Sequence, residues 1–582
     1  MAVNPERRAF LKLAAGGAIG AAAAGAAYAL KDPARGLYLD LTRPHFGSPI
    51  ENPIGREVLY NGIELPSPWP PFRRELDRDV SFPPYLTRPP DVIPIDVGRQ
   101  LFVDEFLIEE CELDRASHAA SYIEGNPVLQ PATLWERKPE EQRPGVAPSP
   151  TAMPFSDGVW FDPESHQLKM WYTGGYNGRT CLAVSDDGVT WTRPMLDVVP
   201  GTNIVFDRLR DSSTVWLDHE ERNPLMRYKM MVFLQSGRRL HRYVSPDGVH
   251  WHPAGFGGPS GDRSTFFFNA FRKVWVYNIR ESQELQRYVG RHRRYIEARD
   301  FCTLTPWTND EATAWVAADE LDRPRVDMRV PPEMYNLDCV AFESVLLGLF
   351  TIFYGDPPGR EKPNQLEVGF SRDGFHWSRP SRAPFIGVSE HRGDWNWANV
   401  QSAGGCCLVM GDRLYFYVSG RAGVPGTGEP GVCSTGLATL RRDGFVSLDA
   451  PPEPMPRRPG IVSRPRSITT RPVRFTGSSA FVNVDLDGGE LRAEVLDRGG
   501  RVLEPFSAAH SVPVRQDSTC AAVNWSGASL GDLTGQDVRF RFYLERGRLY
   551  SFWVSPTERG ESRGYVAAGG PAFAGPIDTS GG

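Results

Sequence analysis

Between about residue 150 and residue 450 the apolar positions fall into short runs that come in pairs, with polar turns between them. "GVWFD" is followed by "LKMWYTG", "TVWLD" by "YKMMVFL", "TFFFN" by "KVWVYNI", "CVAFE" by "LGLFTIFYG", and "GGCCLVM" by "RLYFYVSG". Runs of this length, rich in β-branched and aromatic residues, predict strands rather than helices. A third run, such as "CLAVS", "LHRYVS" or "LEVGFS", comes next, and an Asp-Gly pair closes it. The closing motif recurs as "SDDGVTWTRP" from Ser185, "SPDGVHWHPA" from Ser245 and "SRDGFHWSRP" from Ser371. Degenerate copies surround Asp300 ("ARDFCTLTPW") and Asp443 ("LRRDGFVSL"). The five aspartates are separated by 60, 53, 73 and 70 residues. That period predicts an all-β, five-bladed β-propeller over residues 95–455.

Ser-x-Asp-Gly-x-x-Trp then reads as the hairpin joining the third and fourth strands of a blade. Glycine supplies a positive φ, aspartate tolerates the turn, and tryptophan opens the outer strand and packs inward. These aspartates are expected to be structural.

The pattern changes after residue 465. "RPVRFTGSSAFVNVDLDGGELRAEVLDRGGRVLEPF" and "DVRFRFYLERGRLYSFWVS" alternate apolar and polar residues between glycine turns. They predict a β-sandwich over 465–566, with 567–582 a loose tail. At the other end, "NPERRAFLKLAAGGAIGAAAAGAAYAL" has a charged start, a weakly apolar stretch and a small-x-small cleavage signal. Arg7-Arg8-Ala9-Phe10-Leu11-Lys12 resembles the twin-arginine export consensus, so 1–29 is expected to be a removable signal and the protein periplasmic or extracellular, without a stable membrane anchor. Residues 30–94, with "PSPWPPF" and "FPPYLTRPP", are expected to be an irregular lead-in.

Composition narrows the picture. The 58 glycines and 51 prolines suit a turn-rich β protein. A net charge of -6, with no Lys/Arg block past the first residues, gives no footprint for nucleic acid. Eight cysteines in 582 residues, none in a CxxC pair, make neither a disulfide framework nor a zinc site. No cofactor or metal is implied, and oligomeric state is not encoded legibly.

In a five-bladed wheel, the small-molecule site belongs at the mouth of the central funnel, where the innermost strands begin. Aligned on Asp162, Asp218, Asn269 and Glu343, the strands carry Asp157, Ser213, Ser264 and Asp338 five positions earlier. Phe155, Asp211, Asp262 and Asn336 stand seven positions earlier. Residues two apart share a strand face, so both columns are expected to point one way. Blade five offers Asn399, Gln401 and Ser402. Asp211, Asp262 and Asp338 are the foremost catalytic candidates, with Asp157 a fourth. Arg210 and Arg263 are expected to flank Asp211 and Asp262 and hold them ionised. Glu343, Asp162 and Asp218, at the far hairpin ends, read as turn residues. "SEHRGDWNWANVQ" could bring Glu390, His391, Trp395 and Trp397 over the funnel, the indoles facing sugar rings.

Carboxylates around an aromatic-walled funnel suit glycosidic bond cleavage, one group protonated as acid and one ionised as nucleophile or base. Over residues 95–450 the chain resembles the five-bladed glycoside hydrolases of families 32, 43, 68 and 130, most of all family-32-like proteins. "NPVLQPATLWE" from Asn126 is similar to their lead-in to the wheel, and "SDGVWFDP" lies where they carry the nucleophile, with Asp157 in the matching place. "RLRDSSTVWLD" is similar to their Arg-Asp-Pro, Arg210 and Asp211 matching while Ser212 replaces proline. Their Glu-Cys motif is absent, and Asp262 stands nearest its place. The resemblance implies an exported hydrolase of a furanose- or pyranose-containing glycan and a C-terminal sandwich. The rival is a propeller that binds carbohydrate or protein without turnover.

Overall fold

The computed structural model describes residues 50–51, 57–137, 149–234, 239–280, 289–302, 306–356, 360, 362–423, 431–450 and 465–581. The chain divides into Met1–Phe46 and Gly47–Gly582, and everything described lies in the second unit. The expected export signal and the first part of the lead-in fall outside the described residues.

Five sheets form the propeller. Blade one comprises Ala152–Asp162, Gln167–Gly174, Arg179–Ser185 and Ile204–Phe206. Blade two comprises Arg210–Leu217, Tyr228–Leu234, Arg239–Ser245 and His252–Phe256. Blade three comprises Thr265–Asn269, Val274–Arg280, Arg293–Ala298 and Thr313–Val316. All three are antiparallel meanders, each strand paired with the next. Blade four has Glu333–Glu343, Val345–Phe353 and Asn364–Ser371, edged by single bridges from Leu366 to Ile386 and Phe370 to Ser378.

Blade five departs from the chain order. Asn399–Ser402 and Leu408–Met410 both pair with Arg413–Arg421, which pairs with Cys433–Arg441. The outer strand is Ser121–Tyr122, paired with Ala438 and Thr439. The strand after the fifth Asp-Gly, Val446–Ala450, leaves the wheel and pairs with Asp114–Ser117 and with Val538–Ser555.

The repeated motif is the local device that makes each hairpin. In blade one Ser185 Oγ accepts the Gly188 amide at 2.8 Å, and Asp187 accepts the amides of Val189 and Thr190 at 2.8 and 2.7 Å. Ser245/Asp247 and Ser371/Asp373 repeat these bonds. Gly188, Gly248 and Gly374 sit at φ of 77–84°, where a side chain is disfavoured. Trp191 and Trp377 are buried. The aspartates thus cap turns.

The sequence boundaries at both ends need correction. Ten of the strands outside the wheel make one hydrogen-bonded sheet. Ser479–Asp497 and Val538–Ser555 are its long axis, and Ile93–Pro94, Gln100–Leu101, Ile108–Cys111 and Asp114–Ser117 join it from the N-terminal side. The lead-in is not merely irregular: Leu59, Ile63, Leu65 and Tyr85 enter the same apolar core as Val482, Phe542 and Phe552. The expected loose tail is packed too. Tyr565–Val566 pairs with the far end of blade four's inner strand, the Ala568 amide donates to Cys407, and Asp578 is fully buried.

Glu343 fastens these parts together, so it is more than the turn residue expected. It has φ 49° and no exposure. Arg442 reaches it at 3.0 Å, Arg99 at 3.5 Å and Ser562 Oγ at 2.7 Å. Arg442 also meets Asp578 at 3.2 Å, and Arg99 meets Asp443 at 3.2 Å. A Cβ on Gly98 would come within 2.4 Å of the Glu343 carbonyl carbon, so only glycine allows this approach.

A second buried cluster closes the seam between blades three and four. Glu367, 1% exposed, meets Arg379 at 3.0 Å, and Arg379 also meets Asp319 and Asp322. Burial pushes the Glu367 carboxyl up to about 8, against the pull of Arg379. The native state therefore keeps a proton that the unfolded chain releases near its ordinary value of 4.5. This contribution to stability is complete below that value and is lost as pH rises through about 8. One proton gives a slope of up to about 1.4 kcal/mol per pH unit. Between pH 5 and 8, wild type should lose melting temperature relative to Glu367→Gln, and parallel melting curves across that range would refute this.

Candidate functional site

Each inner strand starts at the mouth of the wheel, and the side chains at those starts meet across blades. The meeting is made possible by an irregularity in blade one. Pairing slips between Met153 and Gly158, and Ser156 adopts φ 63°. The bulge lets consecutive residues serve the axis instead of alternating away from it. Ser156 Oγ donates to Asp338 Oδ2 of blade four at 2.9 Å and accepts from Arg263 Nη2 of blade three at 3.0 Å. Asp157 takes Arg210 Nη2 of blade two at 2.6 Å and is also hydrogen-bonded by Ser213 Oγ.

The predicted carboxylates separate into two tiers. Asp157 and Asp338 are deep, 0% and 3% exposed. Asp338 Oδ2 accepts Asn336 Nδ2 at 3.0 Å and Ser402 Oγ at 2.5 Å in addition to Ser156. Burial pushes both carboxyls up from their ordinary values, opposed at Asp157 by Arg210 and Ser213 and at Asp338 by Arg263 and the two serine hydroxyls. Asp211 and Asp262, two positions nearer the strand starts, are half-buried at the rim. A two-residue step is about 6.6 Å along a strand, which accounts for the separation.

The two arginines direct their guanidiniums away from the carboxylates beside them in sequence. Arg210 Nη2 binds the Asp157 carboxylate, Nη1 donates to the Asp211 backbone carbonyl at 3.4 Å, and Nε goes to Thr180 Oγ1 at 3.1 Å. Arg263 binds the Phe155 carbonyl at 2.9 Å and Ser156, while Asp262 is ion-paired with Arg280. Adjacent side chains on an extended chain point to opposite faces, so the sequence neighbour is the wrong partner. Arg263 has φ 59°, and its guanidinium lies 3.6 Å from the centre of the Phe155 ring. Two left-handed non-glycine residues, Ser156 and Arg263, thus hydrogen-bond each other at the hub, a kind of backbone strain that concentrates at functional sites.

The stretch before blade five holds itself rather than the funnel. Glu390 forms a bidentate pair with Arg325 at 3.1 Å and a bond to Arg360 at 3.0 Å. His391 is exposed, its amide held by Ser389 at 3.0 Å. Trp395 lies flat on blade five, where a Cβ on Gly420 or Gly436 would come within 2.2 or 2.0 Å of its ring. Trp397 is buried under Arg360, 5.1 Å from the ring centre. Trp397 is thus enclosed by protein, while Trp395, half-buried, has one face committed to blade five. Asn399 donates to the Lys362 carbonyl at 2.6 Å and accepts from Gln401 at 2.7 Å, and both are buried.

Several mouth residues were not anticipated. Tyr176 and Tyr335 are half-buried there. Arg421, 1% exposed, spans the faces of Phe155 and Tyr176 at 5.0 and 5.2 Å. Arg293 donates to Asn278, Tyr335 and Arg263 backbone or amide oxygens. Asp211 lies within charge–charge range of Tyr176, Arg263 and Arg280. The available signal was arginine at strand ends: Arg280 and Arg421 close second strands, and Arg293 opens a third.

No known family of proteins matches this chain, and no curated protein does. Solved structures resemble it weakly. An N-acetylgalactosamine deacetylase from F. plautii, in complex with blood group B trisaccharide, is 13% identical over 56% of this chain and 96% of its own, with TM-score 0.39. A fructofuranosidase from Schwanniomyces occidentalis is 11% identical over 69% and 94%, with TM-score 0.31. A thermostable family-43 glycoside hydrolase is 12% identical over 52% and 96%, with TM-score 0.34. Likenesses at this level assign no activity.

Asp157→Asn would leave Arg210 buried without its counter-charge. The loss should be about 3–5 kcal/mol, read as a large fall in melting temperature. Asp211→Asn, at the rim, should stay within about 1 kcal/mol of wild type. Similar losses for the two would contradict the division into tiers.

Proposed function

We propose that the protein is a glycoside hydrolase acting on an oligo- or polysaccharide at the propeller mouth. One observation carries this reading: blades two and four present a rim carboxylate, Asp211, and a buried one, Asp338, and Arg263 is within electrostatic reach of both. Two carboxyl groups in such different surroundings suit opposite proton roles. Asp338, pushed up by burial, would give its proton to the leaving oxygen, and Asp211 would act ionised on the anomeric side. Asp157 is assigned as the counter-ion that fixes Arg210, and Asp262 as the partner of Arg280. Tyr176 and Tyr335 would supply the aromatic wall. A glycan-binding propeller without turnover is the second reading, favoured by the engagement of Asp157 and Asp262 with arginines.

Reducing-sugar release from a panel of defined oligosaccharides tests the two. Asp338→Asn and Asp211→Asn should each lower turnover by about 10²-fold or more with circular dichroism unchanged. Binding without turnover by wild type on every member would favour the second reading. The twin-arginine proposal has its own check: Arg7→Lys with Arg8→Lys should leave the precursor unprocessed in the cytoplasm on fractionation, and normal export would refute it.

A further inference from the structure

We propose that the wheel carries a second binding site at its far end, between blades one and two and the C-terminal segment, and that this site takes an unbranched alkyl carboxylate. It is separate from the mouth and does not rest on the glycan reading. A cleft of about 790 Å³ opens there, lined by the hairpin ends of the two blades and by residues 571–576. Ligand sites commonly have volumes of roughly 300–1,000 Å³. Beside it lies a smaller chamber of about 40 Å³. Asp218, His219 and Pro576 line both spaces, so the two adjoin at those residues.

The chamber is apolar. Trp160, Trp216, Phe268, Val340 and Tyr565 line it. Trp160 Nε1 donates to the Val215 carbonyl at 3.0 Å and Tyr565 Oη to the Ala270 carbonyl at 3.1 Å, so these polar tips are already engaged. Size decides what enters. A benzene-sized ring occupies a cavity of about 150 Å³, whereas 40 Å³ holds the last carbon or two of a chain.

The cleft supplies the rest of the fit. Pro571, Phe573 and Pro576 give it an apolar wall, held in place by the Phe573 amide donating to Gly570 and the Val566 amide to Pro576, both at 3.0 Å. Its acids are committed: Glu164 to Arg227 at 3.1 Å, and Asp218 and Glu221 to Lys229 at 2.8 and 3.0 Å. Arg222 lines the same cleft, is exposed, and has no ion-pair partner among the described residues. A guanidinium in that state offers a fork to a carboxylate. His219 stands where cleft and chamber adjoin. Burial, with Arg227 nearby, pushes its imidazole down to about 4, so the passage is uncharged near neutral pH. A charged head at Arg222 and a slim apolar end beyond His219 are what these surroundings complement.

Calorimetric titration of the full chain tests this, with octanoate, hexanoate, 1-octanol and benzoate as probes. Octanoate should bind once per chain, about tenfold more tightly than hexanoate, which is two methylenes shorter. It should also bind about tenfold more tightly than 1-octanol, which lacks the charge. Benzoate should not bind at concentrations that saturate the site with octanoate. Arg222→Gln should lower the octanoate affinity to that of 1-octanol, and Ala341→Leu, which fills the chamber, should erase the advantage over hexanoate. Should Ala341→Leu not fold, the exposed Arg222→Gln and the chain-length pair decide. Equal affinities for octanoate and 1-octanol, no effect of Arg222→Gln, benzoate bound as tightly as octanoate, several equivalents per chain, or no binding at all would each overturn the inference.

Discussion

One carboxylate oxygen holds three blades together. Asp338 Oδ2, on the inner strand of blade four, accepts from Ser156 of blade one, from Ser402 of blade five and from Asn336 of its own strand. Ser156 in turn receives Arg263 of blade three, and its neighbour Asp157 receives Arg210 of blade two. All five inner strands therefore meet in one continuous polar network. Five twisted sheets converging on an axis leave no room for large apolar groups there, and buried polar groups must be hydrogen-bonded. Short hydroxyl and carboxyl side chains linked by long guanidiniums satisfy both conditions.

The two ends of the wheel treat charge differently. At the far end, Glu343, Asp443 and Asp578 face Arg99 and Arg442, and all five are buried under the C-terminal segment and the large sheet. Three acids there meet two bases in a sealed space, and burial pushes the Glu343 carboxyl up. At the mouth, by contrast, half-buried carboxylates stand at the rim, Asp262 paired there with Arg280. A fastening needs its charges enclosed and a receptor needs some of them within reach of solvent.

The wheel was legible in the sequence because its hairpins are local. Ser-x-Asp-Gly-x-x-Trp closes its hydrogen bonds within four residues, so the motif carries its own geometry wherever it occurs. The columns of strand-initiating polar residues were legible for the same reason: Asp157, Asp211, Asp262 and Asp338 do gather at one end of the inner strands. Their partners were not legible. A bulge at Ser156 and the alternation of strand faces decide which arginine meets which carboxylate, and neither leaves a mark in composition. The strands at 93–117 escaped notice because their partners lie more than 300 residues away. Trp395 and Trp397 misled because an indole beside a funnel and an indole on a blade read alike until Gly420 and Gly436 are seen beneath it.

The closure of blade five by Ser121–Tyr122 has a bearing on how the molecule comes into being. The N-terminal strands are synthesised first and paired last: 121–122 waits for 438–439, and 108–111 waits for 466–470. Middle blades can form as they emerge, but the ring stays open and its leading edge unsatisfied until residue 439 has been made. Such long-range pairing is slow, and open strand edges invite association with other chains meanwhile. A ribosome that stops before that strand would release an unfinished wheel with a sticky rim, so this architecture places its risk of misassembly in the interval before the closing strand arrives.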